Sequence, residues 1–393
     1  MMQSYYKTIL LLLTSISFAF GQRKTVYNQS FETDKETTAI FNFDNSTVGI
    51  IASNDGKIHF DYVIEFDGYS KKEIEEKISE IDVNASKFDN HITLVAKSNS
   101  KIHEISYAID TPDALVLDFD FSASKSDEKY RKSKDSIIRE IVGKRPLGKL
   151  SGIKYLENHF KIKDENGKLK KVRKAGLKIL RSLFVIRIPP FVKLQINGKD
   201  SQINVNEDFT NELSLDIKQG AFKAKRLTNA YNNITLDNAK FQVYGILGGN
   251  YNFNTLSNGL VGSIENAKIT SEFSKMEVGE IGENVTINDF NSEYWFYNWQ
   301  KTFERFDLFS EYSKIHFFYP ETYDFKFKVI GNNTVNHFND VSVNMQPSRT
   351  GEKFNMLERK PKNEGHFSGD INFDVVHGII YSYNDTFEPK TSN

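Results

Sequence analysis

Asp118 and Asp120 stand two residues apart in a run, Leu115 to Phe121, that alternates apolar and polar residues. On a strand that spacing puts both carboxylates on one face, as paired-carboxylate hydrolysis or a Ca²⁺ site requires. It is equally the outer face of a half-buried strand with Leu115, Leu117, Phe119 and Phe121 inward. No second acidic cluster accompanies the pair, so the outer face is the expectation. The eight histidines (His59, His91, His103, His159, His316, His337, His366 and His377) form no HExxH and no pair at metal-ligand spacing. GxSxG, P-loop and GxGxxG patterns are missing too. The expectation is no catalytic residue, no metal and no cofactor, hence not an enzyme.

Aromatic residues offer a different chemistry. Between Tyr294 and Trp299 the alternation turns Tyr294 and Phe296 inward and leaves Trp295 and Tyr297 outward, with His316 and Phe318 beside them in the next repeat. Four adjacent rings would suit stacking on sugar rings or contact with a protein. Alternatively, the N-terminal sheet or a basic insertion folds over and covers them. That insertion, Ser124 to Ser182, holds 19 Lys/Arg against seven Asp/Glu, a net of +12 in a chain of net −1, so the remainder carries −13. Its densest part, Lys168, Lys170, Lys171, Arg173 and Lys174, could meet an anionic glycan or lipid surface. A solvated loop is the plainer alternative. Few aromatics beyond Tyr155 and Phe160 interleave with it, so nucleic acid is not an expected partner. Ile137, Ile138 and Ile141 predict a short helix near its start, and Leu177, Leu180 and Phe184 another near its end. The insertion is expected to be peripheral.

Repeated short strands must position these groups. From Leu194 to Pro320 the chain repeats every 16 to 21 residues. Phe241, Gly259, Met276, Tyr294 and Ile315 fall in one column, Val243, Val261, Val278, Phe296 and Phe317 in a second, and Ile246, Ile264, Ile281 and Trp299 in a third. A first half-rung is marked by Leu194/Ile196, Leu213/Leu215, Ile234/Leu236, Tyr251/Phe253, Ala267/Ile269, Val285/Ile287 and Phe306/Leu308. Such columns predict stacked rungs that bury one another's apolar faces. Gly248-Gly249-Asn250 and Asn258-Gly259 read as corners. The outward positions of neither half-rung collect acids with a base, which weakens a lyase-type reading.

Upstream, residues 22–123 read as a β-rich section. Ala39–Phe41–Phe43, Ile58–Phe60–Tyr62 and Ile92–Leu94–Ala96 alternate as strands. Ser70 with Glu73 makes a capping box for a helix over 70–81 that carries Ile74, Ile78 and Ile81. Downstream of the repeats (183–320), residues 321–393 bring further strands, a polar loop over Gln346 to Gly365, and a closing hairpin of Ile371–Phe373–Val375 with Ile379–Tyr381–Tyr383. Residues 1–21 read as a secretory signal peptide: one charge, a 12-residue mainly apolar run from Ile9 to Phe20, and Ala19 and Gly21 before a cut at Gln22. No later stretch reaches transmembrane length. Zero cysteines exclude disulfides and thiolate chemistry, and 32 Phe with 18 Tyr suit β-structure.

The order of these features resembles the exported bacterial "putative adhesin" family, a β-strand-repeat domain of unknown function. The residues that carry it are the opening Thr47-Val48-Gly49-Ile50 and Asp55-Gly56-Lys57-Ile58, then a helix. Phe184-Val185-Ile186-Arg187-Ile188-Pro189, the rungs and Gly369-Asp370-Ile371-Asn372-Phe373 follow. The resemblance implies a β-solenoid or β-helix at the cell envelope and no established activity. Together these observations predict an all-β solenoid with a helix-bearing N-terminal section and a basic, partly helical insertion. The expected function is a periplasmic, outer-membrane-associated or extracellular binding and scaffolding protein. Its expected partners are envelope glycans, an anionic lipid surface or another surface protein. The alternative is a carbohydrate-binding or carbohydrate-active protein using an outer aromatic face.

Overall fold

The computed structural model describes residues 22–98, 106–109, 131–142, 177–319, 325–338, 341–345, 354–359 and 369–384. The segment 1–21 expected to be a signal peptide, Asp118 and Asp120, and the basic cluster Lys168, Lys170, Lys171, Arg173 and Lys174 lie outside the described residues. Twenty-five strands and two helices make up the described chain, and the strands join in one open sheet.

The alternation of apolar residues is expressed as parallel, in-register pairing. Phe241, Gly259, Met276, Tyr294 and Ile315 are partners in successive strands, as are Val243, Val261, Val278, Phe296 and Phe317. Ile246 and Ile264 pair with the strands that follow, and Ile281 bridges to Trp299. The side chains of these columns are buried. Gly259 belongs to its strand, not to a corner; a Cβ there would lie 2.8 Å from Met276 Cγ, so the methionine fills the space a larger residue would need. At the other expected corner Gly248 and Gly249 do take positive φ.

The first half-rung keeps one register throughout, but not the one its marker pairs suggest. Leu215 pairs with both Ile196 and Ile234, and Ile234 with Tyr251, which in turn meets Ile269. Ile234/Leu236 and Tyr251/Phe253 are therefore offset by two residues from Leu213/Leu215 and Ala267/Ile269. A slip of two keeps every side chain on its face, because the strand period is two. The two half-rungs meet across the core, with Phe241 against Tyr251 and Phe253, Phe296 against Phe306, and Phe317 against Phe373.

Where each rung turns from its first strand to its second, one residue takes the left-handed conformation: Asn45, Asp200, Gln219, Asn238, Thr255, Phe273, Asn291, Tyr312, His377 and Asn333. A hydroxyl commonly follows and knits the corner. Ser274 Oγ donates to its own Glu272 carbonyl at 2.8 Å and accepts from Leu256 N–H at 3.0 Å. Ser292 and Ser313 repeat this, accepting from Ser274 N–H at 2.9 Å and Ser292 N–H at 3.1 Å.

The N-terminal section supplies a rung of the same stack. Thr38–Asp44 pairs with His91–Ser98 and Lys193–Val205, while Thr47–Ala52 pairs with Lys193–Val205 and Leu177–Ile188. Thr47–Ala52 and Lys57–Asp67, consecutive in sequence, do not pair with each other; the strand Leu177–Ile188 lies between them. That strand contains Leu177, Leu180 and Phe184, whose spacing predicted a helix. It extends the run to Pro189 backwards into the basic segment, so the end of that segment is built into the sheet rather than peripheral. Helix α1, Lys71–Ser79, has the expected capping box but stops before Ile81, which opens the strand Ile81–Phe88.

The C-terminal strands do not form a hairpin. Asp370–Val376 pairs in parallel with Arg305–Glu311 and Lys326–Asn332, and Ile379–Asn384 with Lys314–Tyr319 and Thr334–Phe338. They make one more rung, inserted between two that precede it in sequence. A strand, Phe354–Arg359, also lies within the run expected to be a loop and pairs antiparallel with Lys326–Asn332.

Candidate functional site

The predicted rings come together on the outer face of the second half-rung. Trp295 and His316 are partners in adjacent strands, and their rings lie 3.6 Å apart at 2°. Tyr381 stacks on His316 at 4.8 Å and 7°, and His337 on Tyr381 at 4.9 Å and 11°. Tyr297, Phe318 and Tyr383 form a second file, at 5.4 and 4.8 Å. In-register pairing dictates this: like positions recur each rung, so flat side chains stack along the ladder. Their faces are thereby spent on one another, and the files turn ring edges outward. Sugar stacking needs an open face, which these rings do not offer. His316 also bonds Tyr383 Oη at 3.0 Å and lies 3.4 Å from Glu293.

The insertion covers part of this surface. Helix α2, Lys134–Val142, lays Ile137 and Ile141 on Leu260, Tyr297 and Phe318, and Tyr297 and Phe318 are only 3% and 0% exposed. Gly262 and Gly279 form its seat, since a Cβ on either would come within 2.9 Å of Ile138 Cγ1 or Lys134 Cα. Charged groups fix the helix. Lys132 meets Glu277 at 2.5 Å and Glu140 at 2.9 Å, and Lys134 meets Glu280 at 2.9 Å. Arg131 Nε donates to the Tyr297 carbonyl at 3.0 Å and to Asn298 Oδ1 at 2.8 Å. Part of the segregated charge thus closes on the protein's own acidic face.

This clamp gathers acids with potential bases, which the columns alone did not. Burial works against the charge of Lys132, but the Glu277 and Glu140 carboxylates outweigh it and hold the ammonium above the ordinary lysine value. Burial, reinforced by Glu277, pushes the Tyr297 phenol well up, and its hydroxyl donates to Glu277 at 2.9 Å. Both groups keep their protons at neutral pH, the opposite of what proton abstraction requires.

A second aromatic surface escaped the sequence patterns. Phe273, Phe290, Tyr312 and His377 line the left-handed corner, with ring centroids 5.6, 5.8 and 5.0 Å apart. Phe273 and Tyr312 are each 51% exposed and Phe290 37%. Bulky side chains are rare at positive φ, yet Phe273 sits at 49° and Tyr312 at 59°. The floor beneath is rigid: Asp289 accepts from Ser271 and Ser313 at 2.5 Å and from Ser310 at 3.2 Å. The available signal was a repeated tetrapeptide, Glu272-Phe273-Ser274-Lys275 and Glu311-Tyr312-Ser313-Lys314.

Among the described residues no group of three or more His, Asp or Glu side chains is placed to hold a metal, and no helix is long and apolar enough to cross a membrane. No family model matches the chain, and no curated protein matches it. A crystal structure of a "putative cell adhesion protein" from Clostridium sporogenes aligns over 93% of this chain and 100% of that one, at 10% identity and a TM-score of 0.19.

Proposed function

We propose that this chain is an exported β-solenoid protein that acts by binding at the cell envelope or surface, as a scaffold or adhesin-type contact, without catalysis. The observation that carries the reading is the exposed aromatic corner. It holds Phe273, Phe290 and Tyr312 in line on a rigid floor, and large apolar side chains grouped in the open mark contact surfaces. In-register pairing over successive rungs supports the solenoid. The proposed location is the periplasm, the outer membrane or the cell exterior, and the proposed partners are envelope glycans or surface proteins.

Fractionation of producing cells and co-sedimentation of the purified protein with isolated envelope test this. The expected result is protein in the envelope or medium, retention on envelope material, and no turnover of a polysaccharide panel. Recovery wholly in the cytosol, or polysaccharide cleavage lost on Glu277→Gln, would overturn it.

A further inference from the structure

We infer that the corner opposite the left-handed one, where each second strand leads into the first strand of the next rung, binds an uncharged polysaccharide chain running along the stack. Phe191 and Tyr231 are its stacking platforms, and a depression beside Tyr231 takes its hydroxyls. The inference rests on the binding role proposed above and adds to it a separate site and a ligand class.

Open ring faces give the first argument. Tyr231 is 79% and Phe191 40% exposed, and among the described residues no other ring lies against either. The Trp295 file and the Phe273 corner differ in this, since neighbouring rings cover their faces. Both loops are nevertheless held. Buried Asn211 Nδ2 donates to the carbonyls of Pro189 and Val192, each at 2.8 Å, and so brackets Phe191. Asn229 Oδ1 accepts from Tyr231 N–H at 2.9 Å, while its Nδ2 donates to the Thr210 carbonyl at 3.0 Å. A ring fixed at its backbone and free of other rings leaves little ordering to be done on binding.

Chemistry gives the second. A cavity of about 290 Å³ opens one strand beyond Tyr231, near the lower bound of roughly 300 Å³ for small-ligand clefts. Ala230, the neighbour of Tyr231, forms its edge together with Asn250, Asn266, Lys268 and Asn284. Asn266 and Asn284 each donate from Nδ2, to Glu283 at 3.0 Å and to Glu304 at 2.8 Å, which leaves their Oδ1 atoms as acceptors. Asn250 and Lys268 supply donors. Donors and acceptors side by side, next to an open ring, match a pyranose, which offers C–H groups on its face and hydroxyls on its rim. The carboxylates of Glu283 and Glu304 stand behind the amides and outnumber the single ammonium, which disfavours an anionic chain.

Length and width give the third. Phe191 lies in the turn before Lys193 and Tyr231 in the turn before Asn233, and their strands are two apart in the ladder. The strands of Asn250, Lys268 and Thr286 follow in order. Five steps of about 4.8 Å make a line of roughly 24 Å, one side chain across. Between the two rings the intervening rung places Thr210 and Asn211. A protein contact centres on a contiguous apolar patch instead. Spaced rings continued by amides suit a polymer whose units repeat along the line.

The experiment is affinity electrophoresis of the full mature chain in gels containing soluble β-linked glucan, xylan or mannan, with alginate as an anionic control. Wild type should be retarded by at least one neutral polymer. Tyr231→Ser should weaken that retardation about tenfold, the scale of one lost ring contact, and Phe191→Ser or Asn250→Ala severalfold. Tyr231→Phe, which keeps the ring, should bind within about twofold of wild type. Tyr231 and Asn250 are exposed, so their variants should melt with wild type, and loss of binding with Tm maintained supports the site. Phe273→Asn with Tyr312→Asn should bind the polymer as wild type does. Tyr231→Ser that binds like wild type, equal loss in Tyr231→Phe and Tyr231→Ser, loss confined to the Phe273 and Tyr312 double variant, or retardation by alginate alone overturns the inference. So does a Tm lowered by Tyr231→Ser, which would make the ring part of the fold. Wild type retained on envelope but retarded by no neutral polymer would remove this site and leave the binding role standing. Retardation by a neutral polymer that Tyr231→Ser abolishes, without retention on envelope, would remove the envelope role and leave the site.

Discussion

Trp299 Nε1 donates to the carbonyl oxygen of Phe318 at 3.0 Å, so an indole in the interior columns reaches the backbone of the next repeat. The indole is 4% exposed and packs edge-on against Phe303, Phe306 and Phe317. Trp299→Phe keeps most of that packing and deletes the donor, leaving a buried carbonyl unpaired. Equilibrium denaturation should show a loss of about 1–3 kcal/mol; an unchanged midpoint would mean that water replaces the indole.

Val278 is fully buried between Val261 and Phe296 in its column. Val278→Asp buries a charge without a partner and should cost several kcal/mol, enough to abolish cooperative unfolding in a marginally stable domain. Phe296→Ala, which deletes a ring packed on Tyr294 and Phe306, should cost about 3–5 kcal/mol. Thermal melts of the two variants check the column directly.

Docking of helix α2 should weaken in alkali. Lys132 and Tyr297 both hold their protons more tightly when the helix is docked. Each therefore contributes fully below its unfolded value, about 10, and the contribution fades as pH rises through the folded value. The protection of Lys134–Val142 amides, exchange corrected for its base-catalysed intrinsic rate, should fall above about pH 10, and Lys132→Met should flatten its share of that dependence. Protection lost instead only in acid would contradict the assignment.

Ile141→Asp should release the helix while the rungs stay folded, since Ile137 and Ile141 are its buried anchors. Limited proteolysis should then cut within 131–142, and the fluorescence of Trp295 should shift to the red. Collapse of the whole fold would make the helix part of the core.

Export predicts a mature chain beginning at Gln22. N-terminal mass spectrometry of protein made in a secreting host checks this, and a chain retaining Met1 would refute the cut.

The second half-rung was legible in the sequence because its columns keep one spacing and one register: Phe241, Met276, Tyr294 and Ile315 announce themselves as a set. The first half-rung was less so, because an offset of two preserves the apolar alternation and Ile234 looks like the natural partner of Leu213. Ile371 to Tyr383 read as a hairpin because alternation is identical in a hairpin and in a rung; the partners of those strands, Arg305–Glu311 and Lys314–Tyr319, lie some sixty residues back. The Trp295 file was visible as an outward face, but its ring-to-ring stacking is a property of register that composition does not carry. The exposed corner was invisible to rules that expect Asn or Gly where the backbone turns left-handed, since Phe273 and Tyr312 occupy that place.

The rung of Asp370–Val376 and Ile379–Asn384 lies between two rungs made before it. Space and time are therefore out of order at this point. While the chain is being synthesised, Arg305–Tyr319 must wait with its ladder edge unsatisfied, and Lys326–Phe338 has no seat on the strands before it. Assembly of this region cannot proceed strictly from first residue to last. A nascent chain that has not yet reached residue 370 presents an open β-edge, the state most exposed to proteolysis and to mispairing, so a chaperone acting on this protein would be needed until the last strands are made.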